Sequence, residues 1–461
     1  MKVIALIAAG LLACGSALAQ PAPPASRDMK SETAMKIPGP FTVAAVGDIL
    51  EPQPLRREDT GFQALADRIR KADVGFGNLE ANLVDLRRFP GPFVGTMSSL
   101  DTGEAIKAMG ITLVTTANNH TMDGGLAGMT STNDALDRLG IVHAGTGLNL
   151  QDARAARYLE TPKGRVGLIG IFSVDDTSFI GPRFAKTEAT YRNGQLGGAP
   201  GLNPLHLTNY HVVSPEQLQS LRQIGVAAYG PGRGEAPPAA GKPDRYRFFE
   251  EWYEAGAAPG AQHFEMNADD ERDILKSVRN GKVYADFLIV TIHAHQSTTW
   301  REQGAGGVDH TAPEFLIKLA RESIDNGADM FVAHGVHALH GVEIYKGRPI
   351  FYGISNFVFQ TGLEFGATDD IIANNQATME NTASQDGLLT TTHFENGRLT
   401  EVRLYPVALG GARRPISQMG VPTTPAPEEA QRILRDLQDY SKPFGTKIAI
   451  EDNVGVIRLG R

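Results

Sequence analysis

Cys14 is the only cysteine in this 461-residue chain. One cysteine excludes a disulfide framework, so stability has to come from an apolar core. Long hydrophobic runs are also missing. The longest, Val3 to Leu12, is far shorter than the roughly 20 apolar residues a membrane span requires. A positive balance is missing too. The formal net charge is −8 with no basic stripe, which argues against nucleic acid as a partner.

What the chain does carry begins with a leader. Lys2, the short apolar run and Ala17-Leu18-Ala19 make a secretory signal peptide over residues 1–19, with the mature chain starting near Gln20. Leu11-Leu12-Ala13-Cys14 offers a rival reading as a lipobox, with a lipid on Cys14 as the only membrane attachment. The expected location is therefore secreted, periplasmic or tethered to the envelope. Residues 20–40, rich in Pro, Ala and Ser, read as a flexible linker.

From Phe41 onward the hydrophobic content of 41% and charged content of 21% are those of a globular chain. Thr42 to Ile49 reads as a buried strand stopping at Gly47-Asp48. The pattern of strand, polar tip and helix recurs at Val74–Phe76 with Gly77-Asn78-Leu79-Glu80, and at Ile111–Thr115 with Ala117-Asn118-Asn119-His120. This is the α/β signature, in which ligands sit at the carboxyl ends of strands. Three hairpins, at 158–172, 342–352 and 388–404, make the sheets mixed. The expected organisation is one main domain over 41–410, an insertion at about 176–267, and a C-terminal extension over 411–461.

Four strand ends deliver metal-ligand chemistry: Asp48, Glu80, Asn119-His120 and His293-x-His295. A fifth delivers His334-x-x-His337. Five of the chain's 12 histidines thus fall at strand ends. Carboxylates, imidazoles and an amide oxygen suit Mn, Fe, Zn or Mg better than a thiolate-loving ion. Two such ions generate a nucleophile and stabilise a transferring group, with His120 available as the proton donor. Taken singly, each residue has a plain alternative: a turn for Asp48, a surface carboxylate for Glu80, a helix N-cap for Asp123, a loop histidine for His295, a turn former for Asn356. Asp123 otherwise orients His120, and His143 reads as structural. Arg233 and Arg301 are candidate anion contacts or surface residues.

These segments resemble the CapA family of poly-γ-glutamate capsule biosynthesis proteins, itself similar to the calcineurin-like metallophosphoesterases. The matching stretches run in order. They are Ala45-Val46-Gly47-Asp48, Gly77-Asn78-Leu79-Glu80, Ala117-Asn118-Asn119-His120 with Asp123, Val290-Thr291-Ile292-His293, and His334 through Phe359. The resemblance implies a four-layer α/β/β/α sandwich of two mixed sheets. It further implies Asp48, Glu80, Asn119, His293 and His337 as ligands of one or two divalent ions, with His334 a ligand or a group that supports one, and His120 with Asp123 as the catalytic pair. His295 reads as a further ligand or a substrate contact, and Asn356 as a substrate contact at the site. The implied function is metal-dependent hydrolysis in capsule or exopolymer biosynthesis, on an anionic polymer or phosphoester, alongside synthesis or export machinery. A non-catalytic polymer holder and an amide hydrolase stay open as alternatives. Two departures stand out: Leu50 lies where phosphoesterases carry a histidine, and the final His-containing motif is one residue longer.

Overall fold

A computed structural model describes residues 29–51, 55, 60–91, 95–175, 198–233, 242–299, 309–360, 385–410, 418 and 420–460. Strand Pro40–Leu50 is apolar almost without interruption because both of its faces are covered. Val43 and Ala45 point into one core, while Ala44 and Val46 point into another. It pairs in parallel with Val74–Leu79 and antiparallel with Asp386–Glu395. These strands centre a nine-stranded mixed sheet that runs from Ala449–Glu451 at one edge to Val142–Ala144 at the other.

A second mixed sheet has ten strands. Its centre is Gly164–Asp175, Phe287–Ala294 and Met330–Gly335, all parallel. Phe76 and Leu113 from the first sheet meet Leu168, Phe287 and Val332 from the second in an apolar layer between them. Outside the first sheet lie the helices Thr60–Arg70, Leu100–Ala108 and Gly125–Leu139, seated on Phe62, Leu65, Ile106 and Leu136. Outside the second lie Ala268–Tyr284 and Glu314–Asp325, seated on Ile274, Val278, Phe315 and Leu319. The order is helix, sheet, sheet, helix, the four-layer sandwich the resemblance implies.

Three boundaries differ from the sequence reading. Met35 and Ile37, inside the expected linker, are buried in the inter-sheet core, and Lys36 N donates to Asp286 O at 3.1 Å. Strand Pro204–Val213, inside the expected insertion, pairs with Gly164–Asp175 and so belongs to the main sheet. The C-terminal helix Pro427–Ser441 sends Ile433, Leu434 and Leu437 into the same inter-sheet core. Their apolar partners lie far away in sequence, which hides this packing from local patterns. The leader and Cys14 lie outside the described residues. No described helix is long and apolar enough to cross a membrane.

Candidate metal centre

Asp48 sits where the first strand meets Asn356–Phe359, its register partners being Asn356 and Asn78. Gly47 permits this approach. A Cβ there would lie 1.7 Å from Ser355 O, the atom that accepts from Asp48 N. The Asp48 carboxylate is fully buried and surrounded by donors. Asn78 Nδ2 donates to Oδ1 at 2.8 Å and Gly335 N donates to Oδ2 at 3.0 Å. His334 Nδ1 is 3.2 Å away and His337 Nδ1 3.3 Å away. Burial opposes ionisation, but the hydrogen bonds from His334 and His337 outweigh it and hold Asp48 well below the usual carboxylate range.

Glu80 follows the strand Val74–Leu79 and is equally buried. Its Oε1 has no hydrogen-bond partner and lies 3.6 Å from His293 Nε2. Burial, with the charges of Asp48 and Asp123, pushes its carboxyl well above the usual range. Crowding two carboxylates into one dry site is costly unless positive charge joins them. Asn119 is also buried, and its Oδ1 has no hydrogen-bond partner. Orphaned buried oxygens are rare in folded proteins, and a cation satisfies them.

The second sheet contributes imidazoles. His293 and His334 are register partners on adjacent strands, with their Nδ1 atoms 3.0 Å apart. His334 Nε2 lies 3.0 Å from Thr291 Oγ1, whose hydroxyl donates to Val332 O. On the other side of the His293 ring, Nε2 lies 2.8 Å from His295 Nε2. Burial first, then neighbouring imidazoles, hold His293 and His295 well below the usual histidine range. They are therefore neutral, the form that binds metal. His337 is held at φ +53° with Nδ1 2.8 Å from Asn356 Oδ1. When Nδ1 donates there, Nε2 carries the free lone pair. Three donor groups result: Asp48, His293 and His334; Glu80, His293 and His295; and Asp48, Glu80 and His337. In each, the donor atoms lie within 4.8 Å of one another. The cluster could hold a metal, and the orphaned Glu80 oxygen fits one.

His120 stands at the border of this cluster. Its Nε2 is 3.8 Å from Glu80 Oε1, and its Nδ1 is 2.7 Å from Asp123 Oδ2. Asp123 is not the helix cap. Gly124 is the N-cap residue and makes no side-chain bond, whereas Asp123 Oδ2 also accepts from Thr96 N at 2.7 Å. Asn356 is fully buried against His337 rather than open to a substrate. His143 bonds Asp137 away from the cluster, Arg233 is exposed, and Arg301 lies outside the described residues.

Asn78 escaped the sequence reading although its amide bridges Asp48 and Glu80, at 2.8 and 3.4 Å. Thr291 escaped it too. The available signal was period two: Asn78 precedes Glu80 by two residues and Thr291 precedes His293 by two, which puts each pair on one strand face.

A helix-flanked double sheet with carboxylate, amide and imidazole donors at its strand ends defines a calcineurin-like α/β class. Residues 42–361 match the family described as bacterial capsule synthesis protein PGA_cap, and the chain belongs to that family. Relatives agree. The protein y4sH of Sinorhizobium fredii is 36% identical over 465 residues, covering 94% of this chain and 96% of its own. The PGA biosynthesis protein CapA of Bacillus subtilis is 22% identical over 330 residues, covering 70% of this chain and 64% of its own. The capsule biosynthesis protein CapA of Bacillus anthracis is 23% identical over 332 residues, covering 70% and 60%.

Proposed function

We propose that this protein is a metal-dependent hydrolase of capsule or exopolymer production. In this reading it is exported or envelope-tethered and acts on an anionic polymer or phosphoester. The observation that carries the reading is the His120–Asp123 pair, set 2.7 Å apart, with His120 Nε2 3.8 Å from Glu80 Oε1. A site that only holds a polymer has no need of an oriented imidazole beside the donor cluster. Family membership and the names of the two Bacillus relatives support the capsule assignment. The leader supports export.

Asp48, Glu80, Asn119, His293, His334 and His337 would hold one or two divalent cations. Bound there, such ions acidify a water and offset charge on the reacting centre. His120 Nε2 delivers a proton to the leaving group. Asp123 holds Nδ1–H and stabilises the imidazolium before that transfer. Asn356 fixes the His337 ring, and Asn78 with Gly335 N fixes the two carboxylates.

The test compares wild type with His120→Ala, Asp123→Asn and Asp48→Ala on a generic phosphodiester and on poly-γ-glutamate, with bound metal measured in parallel. His120→Ala should keep its metal and lose on the order of 10²–10⁴ in kcat. Asp123→Asn should lose roughly 10–100-fold, and Asp48→Ala should lose metal. Native protein free of metal would sink the proposal. Metal and polymer binding without turnover of either substrate would favour the non-catalytic holder. Cleavage of the polyglutamate alone would identify the amide reading.

A further inference from the structure

Leu50 is the place where the resemblance to phosphoesterases asks for an imidazole, and its side chain is buried among apolar groups. It packs with Ile49, Phe62 and Leu65 in the apolar cluster beneath the helix Thr60–Arg70. The nine-stranded sheet therefore supplies one nitrogen fewer than a two-ion centre of this class uses.

The ten-stranded sheet brings a further imidazole to the same place. His295 directly follows the strand Phe287–Ala294. Its ring centroid lies 4.7 Å from that of His293 and 5.4 Å from that of His337. The Nδ1 side of His293 is already engaged by His334 Nδ1 at 3.0 Å and Asn78 Nδ2 at 3.2 Å. That leaves Nε2 as the nitrogen facing Glu80, and it is the one His295 Nε2 meets at 2.8 Å. Two imidazole nitrogens aimed at each other and at one carboxylate oxygen mark a place for a shared positive charge. The segment is anchored: Ser173 Oγ donates to Gln296 Oε1 at 2.6 Å, and Gln296 Nε2 donates to Asp175 Oδ2 at 2.5 Å.

We infer that His295 is a metal ligand, supplying from the second sheet the imidazole that residue 50 does not supply from the first. The inference rests on the metal-dependent reading above and deepens it. The centre becomes richer in nitrogen than a site with one imidazole fewer. It should therefore prefer Zn²⁺ or Fe²⁺ to Mg²⁺, since imidazole suits the former and carboxylate oxygen the latter.

The experiment strips the full chain with chelator and dialyses it against Zn²⁺ or Co²⁺ at buffered free concentrations. Bound metal is counted by mass spectrometry, and the Co²⁺ visible spectrum is recorded. Wild type should bind the ions with a nitrogen-rich tetrahedral or five-coordinate cobalt band. His295→Ala should bind one ion fewer, or bind the last one at least about tenfold more weakly, with a changed cobalt band. His295→Asn serves where the alanine variant does not fold. His143→Ala, remote from the cluster, should match wild type. If both His295 variants bind Zn²⁺ and Co²⁺ with wild-type stoichiometry, affinity and spectrum, the inference is overturned and the metal centre stands without His295. A wild-type chain that binds neither ion overturns the metal-dependent reading itself, and this inference with it.

Discussion

Gly47 and His340 show how single residues near the centre are constrained in opposite ways. At Gly47 the constraint is space. A Cβ would come 1.7 Å from Ser355 O, so Gly47→Ala must push apart the two strands that carry Asp48 and Asn356. The expected loss is about 3 kcal/mol, at the upper end of overpacking effects, read as a shift in urea midpoint with unchanged slope. At His340 the constraint is water. Its ring is fully buried with Nε2 3.0 Å from Asp309 O, and burial lowers its pKa from the ordinary 6.5 to about 4. Between those values the unfolded chain binds a proton that the folded chain does not. Stability is therefore complete above about pH 6.5 and falls as pH drops towards 4, by up to ~3 kcal/mol. Urea unfolding of chelated protein at pH 7 and pH 4.5 should show a smaller difference for His340→Gln than for wild type. Equal differences would refute the assignment.

Among elements, the helix Pro427–Ser441 carries the most unexpected weight. Lying beyond the family-matched residues 42–361, it fills the inter-sheet core with Leu434 and its neighbours. Leu434→Ala should cost roughly 2–5 kcal/mol, as much as a change in a central strand; a cost under 1 kcal/mol in chemical denaturation would show the helix to be peripheral. The apolar spacing of the helix is a local feature, but its partners are not. Strands Val342–Tyr345 and Arg398–Ala408 reach it only through the tertiary fold. The same limit divides the site. Asp48, Glu80, Asn119-His120, His293 and the His334/His337 pair were legible because each ends an apolar run with ligand-type chemistry. Asn78 and Thr291 were not, because their importance comes from register: Asn78 opposite Asp48 and His293 opposite His334. Asp123 was legible only as two alternatives, because a carboxylate just ahead of a helix serves equally well as a cap or as a partner for His120. The α/β class was readable from alternating strand and helix patterns, and the four-layer architecture came from the resemblance. The edges of the domain were not readable, since the partners of Met35, Ile37 and the last helix lie far away in sequence.

At the scale of the whole molecule, the centre joins the two sheets. Asp48, Glu80 and His120 belong to the first, His293 and His334 to the second. An ion bound among them ties together the two sheets that flank the apolar layer. Ligand that binds only the folded chain stabilises it by ~2.7 kcal/mol at a hundred times its dissociation constant. Chelated protein should accordingly melt several degrees lower than protein supplied with Zn²⁺ or Mn²⁺, and superimposable melting curves would count against an ion at this seam. The amino-terminal lead meets the second sheet at the opposite pole. Lys36 pairs with Asp286, just before Phe287, while His293 lies six residues further along the same strand, about 20 Å away. A carrier protein, bead or sensor surface coupled through the amino end will thus stand behind the molecule and leave the centre open to large polymer chains in the medium. The same attachment near the carboxyl ends of the strands would block them.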